Sequence, residues 1–170
     1  MATFTSTTTA TYTITHTAAW LAGAIVGTIS ELLGHLGIAV SAGALNIAQD
    51  ENAIAAWYQE CSLKEVVLEC HRPDGGINPI FEFPVTYSPH SVSYVVAFQT
   101  DRASLARYQA RLATVPAGTR YKLFCTFNGA HSAQPGWGPA TRSSTEGLRS
   151  SNFGTLATGP HGSASMRTYQ

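Results

Sequence analysis

The chain predicts an α+β fold, and three observations carry the prediction. The stretch AAWLAGAIVGTISELLGHLGIAV, residues 18–40, repeats its apolar residues at helical spacing. Later runs such as KEVVLECH and TRYKLFCTF alternate apolar and polar residues at the strand period of two. Helical and strand-like segments do not alternate strictly along the chain, which argues against a doubly wound parallel sheet.

The elements follow in order. Residues 3–17 are dominated by threonine, and from Ala10 the period is two. Ala10, Tyr12 and Ile14 face one way and Thr11, Thr13 and Thr15 the other, which predicts a strand with one solvated face. Met1 to Thr8 are expected to be mobile. Thr17 is placed to cap a long helix whose stripe is Leu21, Ile25, Ile29, Leu32 and Leu36. Its length is about that of a membrane span. Glu31 and His35 sit one turn apart on it, however, and the first basic residue of the chain is Lys64, so no Lys or Arg anchors either end. A central core helix is the better reading.

Ser41 to Gly43 read as a linker, followed by a shorter helix with Asp50 or Glu51 near its start and Ile54, Trp57 and Cys61 on its apolar face. Three strands come next. In the first, Val66, Leu68 and Cys70 alternate with Glu65 and Glu69; RPDGG is a turn; in the second, Phe81, Phe83, Val85 and Tyr87 share a face. Pro84 lacks an N–H and predicts an edge strand or a bulge. The third is SVSYVVAFQ, with Val92, Tyr94, Val96 and Phe98 inward. Thr100 or Asp101 caps a helix over DRASLARYQARLATV, striped by Leu105, Tyr108 and Leu112, with Arg107 and Arg111 on another side. A strand with Tyr121, Leu123, Cys125 and Phe127 on one face precedes some forty residues rich in Gly, Ser and Thr. Near the end, Ala164, Met166 and Thr168 oppose Ser165, Arg167 and Tyr169, which predicts a strand, and Gly159-Pro160 separates it from NFGTLAT.

The totals bound the function. A chain of 170 residues is expected to be one domain that needs no disulfide or metal to fold. Its formal net charge is zero and only 12% of residues are charged, so the clustered Lys and Arg that nucleic acid requires are missing. Low charge gives poor colloidal protection, which favours life with partners or shielded strand edges. Three cysteines without tight spacing favour a reducing compartment, and MATFTSTTTA lacks the basic and apolar regions of a signal peptide, so a cytoplasmic location is expected.

Few residues suggest chemistry. There is no phosphate-cradling Gly-rich loop, and the six histidines show no metal-ligand spacing. Cys70 and His71 are adjacent and point to opposite faces of a strand. A Cys–His pair meeting in space is the enzymatic alternative, a small hydrolase, against the expectation of a chain that is no enzyme. Trp137, in QPGWGPA, either tucks into the core or anchors a partner.

Both ends of the chain resemble bacterial HORMA-domain proteins. TATYTITHTAAWLAGAIVGTISELLGHLGI resembles their opening, and GWGPATRSSTEGLRSSNFGTLATGPHGSASMRTY their C-terminal safety belt. The resemblance implies a mostly antiparallel sheet backed by three helices, with a core over about 9–129 and a belt over about 130–170 of a single 1–170 domain. It also implies a belt that wraps a short closure-motif peptide, with no cofactor. The implied partners are a cGAS/DncV-like nucleotidyltransferase, activated in CBASS antiphage signalling, and an AAA+ remodeller. Some operons also carry a second HORMA protein, so a companion scaffold that binds no peptide is the other reading within the family. Carried onto this chain, the third helix (Leu105, Tyr108, Leu112) walls the peptide channel and the belt adds Trp137, Phe153, Leu156 and Met166. Neither nucleic acid nor membrane is implied as a direct partner.

Overall fold

A computed structural model describes residues 5–88 and 98–170, with side chains from Ile14 onward. It holds three α-helices, α1 (Thr5–Leu36), α2 (Ile47–Gln59) and α3 (Arg102–Gln109), a single 3-10 turn (Val40–Ala42) in the connection between α1 and α2, and six strands. The strands are β1 (Leu63–His71), β2 (Ile77–Tyr87), β3 (Gln99–Thr100), β4 (Arg120–Phe127), β5 (Ser150–Gly159) and β6 (Gly162–Tyr169). They form one sheet in the order β3-β5-β6-β2-β1-β4, and every pairing is antiparallel.

Helix α1 is the spine of the core. Its predicted stripe is fully buried, and Ala18, Ala22, Val26 and Leu33 widen it. Burying each such Leu or Ile is worth roughly 1.5–3 kcal/mol. The stretch Ile14–Leu36 is long and apolar enough to cross a membrane, but 56% of its most apolar window is buried against the rest of the domain, as befits a core helix. Gly37, at φ 76°, ends it: the Gly37 amide reaches the Gly34 carbonyl and the Ile38 amide that of Leu33. This double bond pattern needs a left-handed residue, which glycine adopts without steric cost.

The predicted N-terminal strand is instead helix, because α1 already spans Thr5 onward. Extending an existing helix adds one hydrogen bond per residue fixed, and threonine costs only a few tenths of a kcal/mol there relative to the better helix formers. A strand would have needed a sheet edge, and the segment pairs with none of the six strands. Thr17 therefore lies inside α1 rather than capping it; its hydroxyl is buried without a hydrogen-bond partner. The expectation of mobility for Met1 to Thr8 falls in part on residues 1–4, outside the described ones.

Helix α2 starts at Asn46, whose side chain accepts from the Gln49 amide, while Asp50 accepts from the Asn46 amide at 2.9 Å. Ile54 and Trp57 are buried as expected. Cys61 is not: it follows the helix at φ 56° and is exposed.

β2 is a central strand, not an edge, lying between β1 and β6. The β2–β6 ladder keeps one register on either side of Phe83 and Pro84 but has no pairing at those two residues. The missing proline N–H opens the ladder locally without forcing a bulge. The predicted strand over 91–99 lies largely outside the described residues. Of its inward set only Phe98 is described, and it is 38% exposed, its ring 5.6 Å from that of Trp20.

Asp101 caps α3 by accepting from the Ser104 amide. The helix ends at Gln109, so Leu112 packs on the core from the turn beyond it. Glu31 of α1 ties α3 down, accepting from Arg102 Nη1 at 2.9 Å and Gln109 Nε2 at 3.1 Å. Partial burial raises the Glu31 pKa, but the Gln109 and Arg102 hydrogen bonds and the Arg102 and His35 charges outweigh it, and the net shift is downward. A lowered carboxylate pKa adds stability that is present above the unfolded value and lost as pH falls through the folded one. The stability deficit of Glu31→Gln, read by thermal melts, is accordingly expected at neutral pH and should fade below about pH 4.5.

The sheet has one face under the helices and one under a strap. Val66, Leu68, Phe81, Phe83, Ala164 and Met166 join the main core. Glu65 and Glu69, which alternate with the core residues of β1, are buried at 7% and 0% exposure on the opposite face. Their face is crossed by residues 128–149, which form no helix or strand, and Leu148 from this segment packs on a second cluster of Val67, Ile80 and Phe124.

Candidate functional site

A cavity of about 420 Å³ opens where the strap passes the sheet edge. That volume falls within the range of small-ligand pockets. Its floor is β4, through Leu123, Cys125 and Phe127; its back wall is Trp57 of α2; its roof is the strap from His131 to Ala140. Alternation on β4 brings Leu123, Cys125 and Phe127 to one face, as the sequence predicts, and β4 ends the sheet, so its outer backbone edge has no partner strand among the described residues.

The aromatic groups lock together. Trp57 meets Phe127 edge-on at 5.0 Å and Trp137 edge-on at 5.3 Å, and His131 lies 3.7 Å from Phe127. Hydrogen bonds fix the strap to α2. Trp57 Nε1 donates to the Ser132 carbonyl at 2.8 Å, Gln49 Nε2 to that of Pro135, and Trp137 Nε1 to Asp50 Oδ1 at 3.1 Å. Glu60 accepts from both the amide and the hydroxyl of Ser132. These bonds hold the Glu60 carboxyl below the usual carboxylate range, the Ser132 hydroxyl contributing most. Burial pushes the Asp50 carboxyl up, against the lowering effect of the Asn46 amide and the Trp137 indole. Trp137 thus packs on a core residue, one of the two uses its sequence context allowed, and also lines the cavity.

The other six expected site residues lie elsewhere, where α3 meets the β5–β6 hairpin. The Tyr108 hydroxyl bonds that of Thr168, and its ring meets Phe153 edge-on at 5.8 Å. Leu105, Leu156 and Met166 are buried in the main core, and Leu112 packs against it. Tyr108 and Phe153 thus form a seam between α3 and the hairpin, with Leu105, Leu112, Leu156 and Met166 in or against the main core. Sequence reading missed Trp57, Leu123, Phe127 and His131 as cavity residues. The periodicity of Trp57, Leu123 and Phe127 marks them only as apolar faces and does not show that the face ends at an open edge, and His131 lies in a segment with no periodicity.

The site carries no activated nucleophile. Burial, and secondarily the Asp50 charge, push the Cys125 thiol far up, the opposite of what a reactive thiolate needs. Burial likewise pushes Cys70 up to about 12. Ser143, Glu69 and His71 are in hydrogen-bond contact, but Glu69 sits between the other two, so the imidazole cannot take the serine proton. No group of three or more potential metal ligands occurs among the described residues.

An antiparallel sheet with three helices on one face and a C-terminal hairpin inserted beside its central strands is the HORMA fold. The family model of bacterial HORMA domain 2 matches residues 6–170, and the chain belongs to that family. Similar solved structures carry the same architecture at low identity. A chain of the E. coli MS115-1 HORMA:CdnC:Trip13 complex aligns with a TM-score of 0.61 and 12% identity, covering 92% of this chain and 89% of that one. C. elegans HTP-2 bound to a HIM-3 closure motif gives 0.62 and 15%, covering 90% and 86%. A chain of the mitotic checkpoint complex gives 0.58 and 9%, covering 72% and 69%. No curated protein matches the chain in sequence.

Proposed function

We propose that the chain is a non-enzymatic regulator that captures a closure-motif peptide beside β4, and in that state binds and activates a cGAS/DncV-like nucleotidyltransferase in cytoplasmic CBASS antiphage signalling. An AAA+ remodeller resets it. The observation that carries the reading is the cavity between a free sheet edge and a covering strap. A peptide strand added to β4 satisfies its backbone groups along that edge, while the cavity accepts one of its side chains. The lining is predominantly apolar and includes no carboxylate, ammonium or guanidinium group. Peptide contact is assigned to Trp57, Leu123, Phe127, His131 and Trp137. Leu105, Tyr108, Leu112, Phe153, Leu156 and Met166 support it from the hairpin seam and the core rather than by touching the ligand. The belt of this reading is residues 130–170, divided into the strap and the β5–β6 hairpin. The similarity to HTP-2 in a closure-motif complex and to a HORMA:CdnC:Trip13 assembly supports the partners.

The test is a displayed library of ten-residue peptides panned against the intact chain. Selected peptides should bind the wild type and lose about tenfold or more in affinity for Ala140→Trp, which fills the cavity from its roof. Selected peptide should also raise product formation by a cGAS/DncV-like nucleotidyltransferase that binds the chain. If panning enriches nothing, or Ala140→Trp binds equally well, the peptide-capture reading is wrong and the companion-scaffold reading replaces it.

A further inference from the structure

Besides the packing of Leu148, the strap has two polar attachments of different chemistry. Near α2 it is held by indoles, an amide side chain and Glu60. Beyond the cavity roof it is held on the outer sheet face by charge. There Arg142 Nη1 donates to Glu65 Oε1 at 2.8 Å and Nη2 to Glu82 Oε1 at 2.6 Å, so one guanidinium spans β1 and β2. The next residue continues the attachment: the Ser143 amide donates to Glu69 Oε1 at 2.6 Å and its hydroxyl to Oε2 at 2.9 Å. Glu65, Glu82 and Glu69 are almost wholly buried, with side-chain exposures of 9%, 6% and 0%, and Arg142 itself is 23% exposed. Only the fork of an arginine can reach two carboxylates at once in this way.

We propose that Arg142 is the latch of the strap: a positioning residue that holds the cavity roof down and sets how long a captured peptide stays. The peptide clause rests on the functional reading above, whereas the latch itself does not. Two features make its effect local. Arg167 also reaches the same carboxylates, at 2.7 Å to Glu82 Oε2 and 3.6 Å to Glu65 Oε2, so removing Arg142 does not leave them without a cation. Glu69, by contrast, keeps only His71, at 3.1 Å, once Ser143 lifts away. The sheet can therefore stay folded while the strap opens, and opening has a definite electrostatic cost.

Hydrogen exchange of the chain alone decides the latch. Amides of residues 138–148 should exchange about tenfold faster in Arg142→Ala, and those of β1 and β2 at the wild-type rate. Arg142→Lys keeps the charge but not the fork and should fall between the two. With a panned peptide, Arg142→Ala should raise the dissociation rate about tenfold and leave the association rate within about twofold. Wild-type exchange over 138–148 in Arg142→Ala overturns the latch; should that variant fail to fold, wild-type exchange in Arg142→Lys does so. Failure of the wild type to capture any peptide overturns the functional reading alone, because the exchange experiment contains no peptide.

Discussion

Gly162→Ala should unseat the C-terminal hairpin. Gly162 opens β6 and pairs with Tyr87 of β2. A Cβ there would overlap two atoms, the Thr86 carbonyl oxygen and the Tyr58 hydroxyl. Neither can step aside cheaply. The carbonyl belongs to a central strand, and the hydroxyl donates to it at 2.9 Å and contacts the His161 carbonyl oxygen at 3.2 Å. The Tyr58 ring, moreover, is stacked on that of Tyr87 at 4.6 Å. Relief requires β6 to shift away from β2, which also strains the Ser88 amide bond to the His161 carbonyl at 2.8 Å. Overpacking of this kind with loss of a hydrogen bond amounts to about 3 kcal/mol, or a fall of roughly 6–12 °C in Tm for a domain of this size. Urea melts measure the loss, and exchange of the β5 and β6 amides locates it. A change below about 0.5 kcal/mol would show that the corner relaxes freely.

That corner was partly legible. The alternation of Ala164, Met166 and Thr168 marks one strand, which forms as β6, whereas NFGTLAT, set apart by the break at Gly159-Pro160, carries no clear strand period and forms β5 all the same. The position of the hairpin was not legible, since β6 lies beside β2, some eighty residues earlier. Helix α1 shows both outcomes in one element. Leu21 to Leu36 obey the helical period because one face is buried, so pattern and structure agree. Ala10 to Thr15 obey the strand period, yet no strand edge receives them, and the helix extends through them instead. The burial of Glu65 and Glu69 is illegible for a related reason. Their alternation describes a face turned from the main core, but that face is covered by a strap with no periodicity of its own. Arg142 and Ser143 complete it, and nothing near them in sequence points to carboxylates 60 to 77 residues away. Of the expected peptide-contact residues, Trp137 stands out because a tryptophan between glycines and prolines has few uses. Leu105, Leu156 and Met166 carry no mark distinguishing a channel wall from a packed core.

Trp57 should prove the residue on which the α2 end of the strap depends. It is 2% exposed, yet it belongs to three elements at once. Its ring packs on Phe127 of β4 and Trp137 of the strap, and its Nε1 carries the bond to the Ser132 carbonyl. Trp57→Ala removes all of this and joins the space it leaves to a cavity already open beside it, at a cost of roughly 3–5 kcal/mol. Trp57→Phe separates the contributions. It keeps most of the ring contact and loses the single hydrogen bond, about 1 kcal/mol, leaving the Ser132 carbonyl to find water at the cavity mouth. Exchange of residues 130–137 should rise sharply in Trp57→Ala and modestly in Trp57→Phe, whereas residues 138–148, held by Arg142, respond less. The two ends of the strap would then open independently, and a peptide could leave from either. Equal acceleration along the whole of 130–148 in Trp57→Phe would instead mean that the strap moves as one body, with indole and guanidinium acting as a single closure.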